Sequence, residues 1–369
     1  MYATNERRQH RSRRRHQNSL TVIGPTPPPV HGQSMATERV LFALSRRCPE
    51  VRFADTSEGT ADAVRRRMTK LRRNAAALRA IRGVDAVYIS VNVGRGMWLS
   101  TAAAAIARMS GARVFLHHHS YSYVRRRTAR MRALTSAAGT SAQHIALSAT
   151  MAADLRAVMP EIRHVVVVGN AALVDQALLD LPLKRDGAEL VLGHLSNLRL
   201  DKGIAEVVDL ASELHRAGTP LRLRIAGPTA DRESARHLDR AERELGNLFE
   251  YLGPVVGPAK LAFYESITHF VFPSRYVHEA MPLVLYEAMA AGVVCLALRQ
   301  GSIAEQLAGS PGRLAESVEN FVHEMAPDMV STPVSAAASK LARQAFLQAL
   351  TDSERQLDDL TKLVVKPDR

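Results

Sequence analysis

Residues 272–292 read FPSRYVHEAMPLVLYEAMAAG, and this stretch predicts how the second half of the chain folds. An apolar run ends at Phe272, a polar loop follows, and Pro282 suits the first position of a helix. Gly292 is the residue type expected just past the end of that helix, where the backbone turns left-handed. A strand, a loop and a capped helix in this order form one repeating step of a doubly wound α/β sheet.

Two carboxylates, eight residues apart, lie in this stretch. The first helical turn leaves backbone N–H groups around Met281 to Val284 without partners in the helix, and such groups suit a phosphate. Glu279 could accept hydrogen bonds from a sugar bound ahead of the phosphates, and Glu287 could accept them from the paired hydroxyls of a ribose. The alternative is that both are ordinary surface carboxylates.

Apolar runs alternate with helical patterns along the rest of the chain, which predicts two tandem doubly wound Rossmann-like α/β domains facing a central cleft. Ligands of such sheets bind at the carboxyl ends of the strands. The segment 175–187 is interpreted as the interdomain linker. The predicted boundaries are a disordered basic arm at 1–19, a first domain at 20–180, a second domain at 188–345 and a helical tail at 346–369.

The composition excludes several protein classes. Hydrophobic residues make up 46% of the 369 positions, which excludes a wholly disordered chain. Two cysteines, Cys48 and Cys295, are too few for a disulfide framework or a four-cysteine metal site. No apolar run approaches the length of a membrane-spanning helix, and the run at 20–23 is too short for a signal-peptide core.

The formal net charge of +13 points to a polyanionic partner, and its distribution is uneven. The segments 1–16, 65–82 and 125–132 carry more than the whole excess, so the remainder of the chain is net negative. The spacing of apolar residues in 65–82 predicts a basic amphipathic helix. This helix either presents a solvated face or docks on anionic lipid headgroups.

Nucleic-acid binding through the arginine clusters is an alternative function. It predicts aromatic side chains interleaved with the positive charges, for stacking on bases. No aromatic residue lies within 7–16 or 65–82, so we expect no nucleic-acid partner.

The stretch 272–292 resembles the Glu-x7-Glu motif of the retaining glycosyltransferases of family 4, the group 1 glycosyltransferases of GT-B fold. Further segments are similar to landmarks of that family and follow in the same order. The resemblance covers roughly residues 20–345. The segments are GPTPPPVHGQS at 24–34, LHHHS at 116–120, GHLSNLRLDKG at 193–203 and RIAGP at 224–228.

The resemblance implies transfer of a sugar from a nucleotide-diphosphate donor to a hydroxyl, with the anomeric configuration retained and without a cofactor. Glu279 would hold hydroxyls of the donor sugar, and Glu287 would hold the ribose. Lys202 would neutralise the diphosphate leaving group as the glycosidic bond breaks. No Asp-x-Asp follows a predicted strand, so metal independence is expected.

Further donor-side contacts follow from the same resemblance. Backbone N–H groups near Gly32, together with those of Leu283 and Val284, would also contact the phosphates. His118 would lie near the anomeric carbon, although His117 or His119 could take that place. A zinc site at these three histidines is disfavoured, because consecutive residues at a strand end point to opposite sides.

One position departs from the family pattern. Where the family usually has an arginine five residues before Lys202, this chain has Asn197, which carries no charge. Arg199 lies close by in the sequence and could substitute for it. The departure leaves open a second alternative function, a catalytically inactive subunit that binds a nucleotide sugar.

The resemblance and the charge distribution together imply a hexosyltransferase of bacterial polysaccharide or glycolipid biosynthesis. Its acceptor would be lipid-linked or a saccharide. The protein would be cytoplasmic and peripheral at the inner face of the cell membrane, bound through its basic N-terminal segments.

Overall fold

The computed structural model of the protein describes residues 19–28, 31–57 and 63–365, so the basic arm predicted at 1–19 lies almost wholly outside the described residues. The described residues form two units. The first runs to Gly169 and resumes at Ser353, and the second runs from Asn170 to Asp352. Each unit holds one parallel six-stranded sheet with helices between the strands, as the alternating sequence pattern predicts.

The first unit is built from six strands and five helices, and the last part of the closing helix belongs to it as well. Its strands lie in the order β2-β1-β3-β4-β5-β6. The elements are β1 (Ser19–Gly24), α1 (Gly32–Ser45), β2 (Glu50–Asp55), α2 (Ala63–Ala80), β3 (Ala86–Ser90), α3 (Met97–Met109), β4 (Arg113–His117), α4 (Ala129–Ala138), β5 (Gln143–Ala146), α5 (Ala149–Val158) and β6 (His164–Val167).

The second unit has its strands in the order β12-β11-β10-β7-β8-β9. The chain switches from one side of β7 to the other between β9 and β10, and such a switch point is where doubly wound sheets bind ligands. The elements are β7 (Leu190–Leu195), α6 (Ile204–Arg216), β8 (Leu221–Ala226), α7 (Arg232–Leu245), β9 (Phe249–Tyr251), α8 (Pro258–Ser266), β10 (His269–Phe272), α9 (Leu283–Ala290), β11 (Val294–Leu298), α10 (Ile303–Gln306), β12 (Arg313–Ala315), α11 (Phe321–Ser331) and α12 (Ala336–Val365).

Helix α12 links the two units in sequence, and its end is more than a separate helical tail. Leu357, Leu360 and Val364 are buried in the core of the first unit, against β-strand residues such as Tyr88 and Ile145. This apolar spacing explains why the residues from Ser353 onward group with the first unit. The units therefore meet in the sequence at 169/170, ahead of the predicted linker, and again at 352/353.

The predicted basic helix is present as α2. Ala77 of α2 and Ile81 just past its end are buried, whereas Leu71 is 62% exposed. Among the residues that the structure describes, no helix has the length and apolar character needed to cross a membrane.

Candidate functional site

The residues of the Glu-x7-Glu stretch and the Lys202 segment meet because β7 and β10 are neighbours in the sheet. Parallel neighbours place the loops after their carboxyl ends side by side. His194 at the end of β7 fastens the two strands: its Nδ1 lies 2.8 Å from the Val271 carbonyl and donates to it, and the Ser196 hydroxyl donates to its Nε2 at 2.8 Å. Burial lowers the pKa of His194 to about 4, so this imidazole is neutral.

Gly203 lets the loop after β7 lie against the loop after β10. Its φ of +88° is a left-handed conformation, and a Cβ there would lie 2.4 Å from Pro273 Cγ and 2.7 Å from the Pro273 carbonyl oxygen. A side chain at this position would push the two loops apart. The glycine therefore sets the approach of Lys202, its chain neighbour, to the second loop.

Lys202 and Glu279 form the central ion pair of the site. The Lys202 Nζ lies 2.5 Å from Glu279 Oε2, and the Ser274 hydroxyl donates to the same oxygen at 3.1 Å. The two charged side chains are only 17% and 12% exposed. The ammonium also lies 4.4 Å from the centre of the Tyr276 ring, a cation–π contact that fixes it on a third side. This geometry holds a cation and a carboxylate together in a mostly desolvated position.

The neighbouring Arg199 and Asn197 are arranged differently. Asn197 is exposed. The Arg199 guanidinium lies 5.8 Å from the centre of the same Tyr276 ring, so it borders the site beside Lys202. It donates to both carboxylate oxygens of Asp201, at 3.0 and 2.9 Å. Arg199 therefore brings a positive charge to the place where the sequence suggested a substitute for Asn197, although Asp201 partly neutralises it.

Helix α9 begins one residue later than predicted. Pro282 has a ψ of 125°, which is extended, so Pro282 precedes the helix and Leu283 is its first residue. The expectation that Pro282 takes the first helical position is therefore wrong. Extended backbone is usual for the residue that precedes a helix, and the carbonyl of Pro282 accepts from the Gln306 side chain. The predicted end is confirmed, since Gly292 follows α9 with a φ of +70°.

Three consecutive carbonyls before α9 each have a donor. Ala280 accepts from the Ser302 backbone N–H at 3.3 Å, Met281 from the Asn170 side chain at 3.1 Å, and Pro282 from the Gln306 side chain at 2.8 Å. The N–H groups of Leu283 and Val284 belong to the first turn, which has no partner for them within the helix. Sequence reasoning missed Asn170 and Gln306, because neither lies near the motif in the chain.

Glu287 is buried in the second turn of α9, so it is not the ordinary surface carboxylate of the alternative interpretation. The Lys260 Nζ lies 2.6 Å from its Oε1, and the Tyr264 hydroxyl donates to its Oε2 at 2.9 Å. Burial and the adjacent Glu287 carboxylate raise the pKa of Tyr264, so the phenol stays a donor. Each oxygen thus keeps a further lone pair for a ligand hydroxyl. No sequence pattern indicated Lys260 or Tyr264 as partners of Glu287, since α8 was predicted only as a brief helix.

In the parts of the chain that the structure describes, no group of three or more histidine, cysteine or acidic side chains is placed to hold a metal ion.

Gly32 and His118, the site residues predicted in the first half of the chain, belong to the first unit. Gly32 is the first residue of α1, where His31 caps the helix: its Nδ1 accepts from the Ser34 N–H at 3.1 Å, and Ser34 Oγ accepts from the His31 N–H at 3.0 Å. The N–H groups of this first turn are the donors expected near Gly32.

His118 lies in a buried cluster of imidazoles after β4. Its Nε2 is 2.9 Å from the Nδ1 of His144, while the Tyr88 hydroxyl is 2.5 Å from the Nδ1 of His117. Burial is the main cause that lowers the pKa of these histidines, to about 3 for His119 and His144 and well below the ordinary value for His117 and His118. The cluster is therefore neutral at pH 7.

We expect this cluster to make the first unit sensitive to mild acid. A histidine with a lowered pKa in the folded state gains a proton on unfolding below about pH 6.5, so its stabilising contribution is lost as the pH falls below that value. For each such histidine, the free energy of unfolding falls by up to about 1.4 kcal/mol for every pH unit below that value. Urea unfolding at pH 7, 6 and 5 should show a steep loss of unfolding free energy. His144→Gln, which keeps a hydrogen-bonding group without titrating, should give a shallower slope, and a flat profile in the parent would contradict the assignment.

The comparisons with known proteins bear on the family and the fold. Residues 189–327 match the family model described as glycosyl transferases group 1. No curated protein matches the sequence. Similar solved structures include HepE of Anabaena in complex with UDP-glucose, at 15% identity and a TM-score of 0.66 over 93% of this chain and 99% of that one. They also include sucrose-phosphate synthase of Thermosynechococcus elongatus, at 17% identity and 0.67 over 94% and 98%.

A third similar structure is the lipopolysaccharide outer core galactosyltransferase WaaB, at 16% identity and a TM-score of 0.65 over 94% of this chain and 99% of that one. At such identities the likeness shows the fold. The predicted GT-B fold class is confirmed, and so is the resemblance to group 1 glycosyltransferases, whose domain occupies most of the second unit.

Proposed function

We propose that this protein, which carries a group 1 glycosyltransferase domain, is a retaining and metal-independent glycosyltransferase that uses a nucleotide-diphosphate sugar. The observation that carries the proposal is that the β10–loop–α9 element of the second unit bears three features: the Lys202–Glu279 pair, the start of α9 and the buried Glu287. They supply a cation and a carboxylate, a set of N–H donors and a second carboxylate. The ion pair suits the sugar and its bond to the diphosphate, the N–H donors suit the diphosphate, and the second carboxylate suits the ribose. HepE, of the same fold, binds UDP-glucose.

In the proposed reaction, the bond between the anomeric carbon and the β-phosphate oxygen breaks while the acceptor oxygen bonds to that carbon on the same face. The acceptor proton passes to the departing diphosphate. Lys202 and the N–H groups of Leu283 and Val284 stabilise the negative charge that develops on the diphosphate. Glu279 orients the sugar through its hydroxyls. The N–H groups near Gly32 are proposed to contribute from the first unit. His118 is buried with its Nε2 on His144, so His119, the least buried of the three consecutive histidines, suits the place near the sugar better.

Proton NMR of a reaction with a UDP-, GDP- or ADP-sugar tests both transfer and stereochemistry. Water serves as the acceptor when no other is known, and the sugar released first should have the anomeric configuration of the donor. First release of the opposite anomer would contradict retention. Failure to turn over or bind any donor would contradict the function itself and leave the nucleotide-sugar enzyme class without support.

The ribose role of Glu287 gives a specific expectation. Glu287→Gln removes the charge that strengthens hydrogen bonds from the 2′- and 3′-hydroxyls, and bonds to charged groups contribute roughly 1.5–3 kcal/mol. Affinity for the ribonucleoside diphosphate should fall about tenfold, while affinity for its 2′-deoxy analogue changes less. Calorimetry with both nucleotides measures this. Equal losses for the two nucleotides would remove Glu287 from the ribose site.

We further propose that the first unit docks on anionic membranes, where a lipid-linked or saccharide acceptor would be glycosylated. Helix α3 packs against both α2 and α4, so it lies between the helix that bears one arginine-rich segment and the helix at which the other ends. Arg72 and Arg79 on α2 are exposed, and Trp98 at the start of α3 is 53% exposed. Exposed arginines beside an exposed tryptophan suit a headgroup interface.

Binding to liposomes should therefore depend on charge. Co-sedimentation with vesicles rich in phosphatidylglycerol should fall as salt rises, because salt screens exposed charges. The double variant Arg72→Glu/Arg79→Glu should bind at least tenfold more weakly, at about 1 kcal/mol per charge near the surface. Arg216→Glu/Arg243→Glu, the same charge change on the second unit, serves as the control. Equal pelleting with neutral vesicles would contradict the electrostatic basis.

A further inference from the structure

The start of α9 has its direction fixed by side chains from outside the motif. In a planar trans peptide the N–H points opposite to the carbonyl of the preceding residue. A donor that holds the Pro282 carbonyl therefore sets where the Leu283 N–H points. Gln306 Nε2 is that donor, at 2.8 Å, and its side chain is buried.

The preceding peptide is also held, although it has no N–H to aim because its nitrogen belongs to Pro282. The Asn170 Nδ2 donates to the Met281 carbonyl at 3.1 Å, and Asn170 is 5% exposed. The Ser302 N–H holds the Ala280 carbonyl, which sets the direction of the Met281 N–H. Three consecutive peptide planes are thus fixed by donors from two separate parts of the second unit, Asn170 at its start and the short helix α10 with its preceding residue Ser302.

The donor on the Pro282 carbonyl does more than supply a hydrogen-bond partner. The Pro282 carbonyl also accepts from the Leu285 N–H, at 3.3 Å, so it has a partner without Gln306. A carbonyl oxygen that already accepts one hydrogen bond does not need a second partner in order to be buried. The amide of Gln306 therefore contributes mainly to the orientation of this carbonyl. Its other atom, Gln306 Oε1, is buried without a hydrogen-bond partner among the described residues. Placing an amide there has a cost that packing alone does not explain.

We infer that Gln306 is a positioning residue that aims the backbone N–H of Leu283, at the start of α9, toward the diphosphate of the donor, and that Asn170 supports it by holding the preceding peptide. The inference rests on the proposed function. Neither residue touches the diphosphate. Each acts through the peptide planes that it holds, and preorganised donors of this kind are stronger than donors that must reorient.

The test compares a diphosphate with its nucleoside. Calorimetry measures the Kd of UDP, GDP and ADP, and NMR titration measures the Kd of the nucleoside of whichever binds best. Gln306→Met, an apolar substitution of similar length, should raise the Kd of the diphosphate at least tenfold and change that of the nucleoside less than twofold. Gln306→His, which keeps an N–H near the position of Nε2, should recover part of the loss.

The controls separate positioning from folding. Gln348→Met makes the same change at an exposed glutamine and should leave both affinities unchanged. Asn170→Leu is the second variant, should Gln306→Met fail to fold. Equal weakening of diphosphate and nucleoside, or no change in either, would overturn the positioning role. If the parent protein binds none of the three diphosphates, the proposed function fails and the inference fails with it.

Discussion

Replacing Lys202 by Met is expected to lower kcat/KM for donor hydrolysis by about 100- to 1,000-fold. The substitution removes the cation from a mostly desolvated position, where it would face the charge that develops on the leaving diphosphate. Loss of one such electrostatic group from an enzyme site has effects of this size. Release of the nucleoside diphosphate from the donor sugar, with water as acceptor, measures the rate.

Stability must be measured alongside activity. Without Lys202, the Glu279 carboxylate keeps Ser274 as a partner but loses its ion pair, and breaking a buried pair destabilises a protein. Lys340→Met, at an exposed lysine of α12, is the matched control and should keep full activity. A folded Lys202→Met variant with parental activity would remove Lys202 from the chemistry.

Glu279→Gln is expected to lower turnover by more than tenfold, and by roughly 100-fold if the sugar hydroxyls depend on the charge. The amide keeps the shape of the side chain but loses the strong acceptor, and hydrogen bonds to ionised groups are about twice as strong as neutral ones. Glu316→Gln, an exposed glutamate in a surface ion pair, is the control and should be unaffected.

The two substitutions should not be additive. Lys202 and Glu279 contact each other, so each single change already disturbs the partner. We expect Lys202→Met/Glu279→Gln to lose less activity than the product of the single effects. Full additivity would mean that the pair seen in the structure does not form in solution.

Much of the second unit could be predicted from its local pattern. The strand ending at Phe272 and the glycine after α9 follow from rules that act within a few residues. The start of α9 was misplaced by one residue, because proline suits both the first helical position and the extended residue before it. The contact of the Pro282 carbonyl with Gln306, which is distant in the chain, is not encoded in capping rules.

The motif named Glu279 and Lys202 as site residues, but it did not reveal that they form an ion pair. The pairing depends on the adjacency of β7 and β10, which the strand order alone determines. The same limit applies to Glu287, whose partners Lys260 and Tyr264 come from α8. Residues that support a site from another element leave no spacing signal in the sequence.

The charge that first suggested a nucleic-acid partner is concentrated in the sequence before residue 133, whereas the donor site is proposed in the second unit. The arginine-rich segments and the proposed donor site therefore lie in different parts of the chain and can be changed independently. The arginine variants of α2 should weaken liposome binding without changing donor hydrolysis in solution.

The most direct test of the donor site is the release of a nucleoside diphosphate from a panel of UDP-, GDP- and ADP-sugars. The release is measured for the parent protein and for Glu279→Gln. We expect release from one nucleotide class by the parent and at least a tenfold slower release by the variant. Equal rates for the two proteins, or no release and no calorimetric binding of any donor, would contradict a donor site built on Lys202, Glu279 and the start of α9.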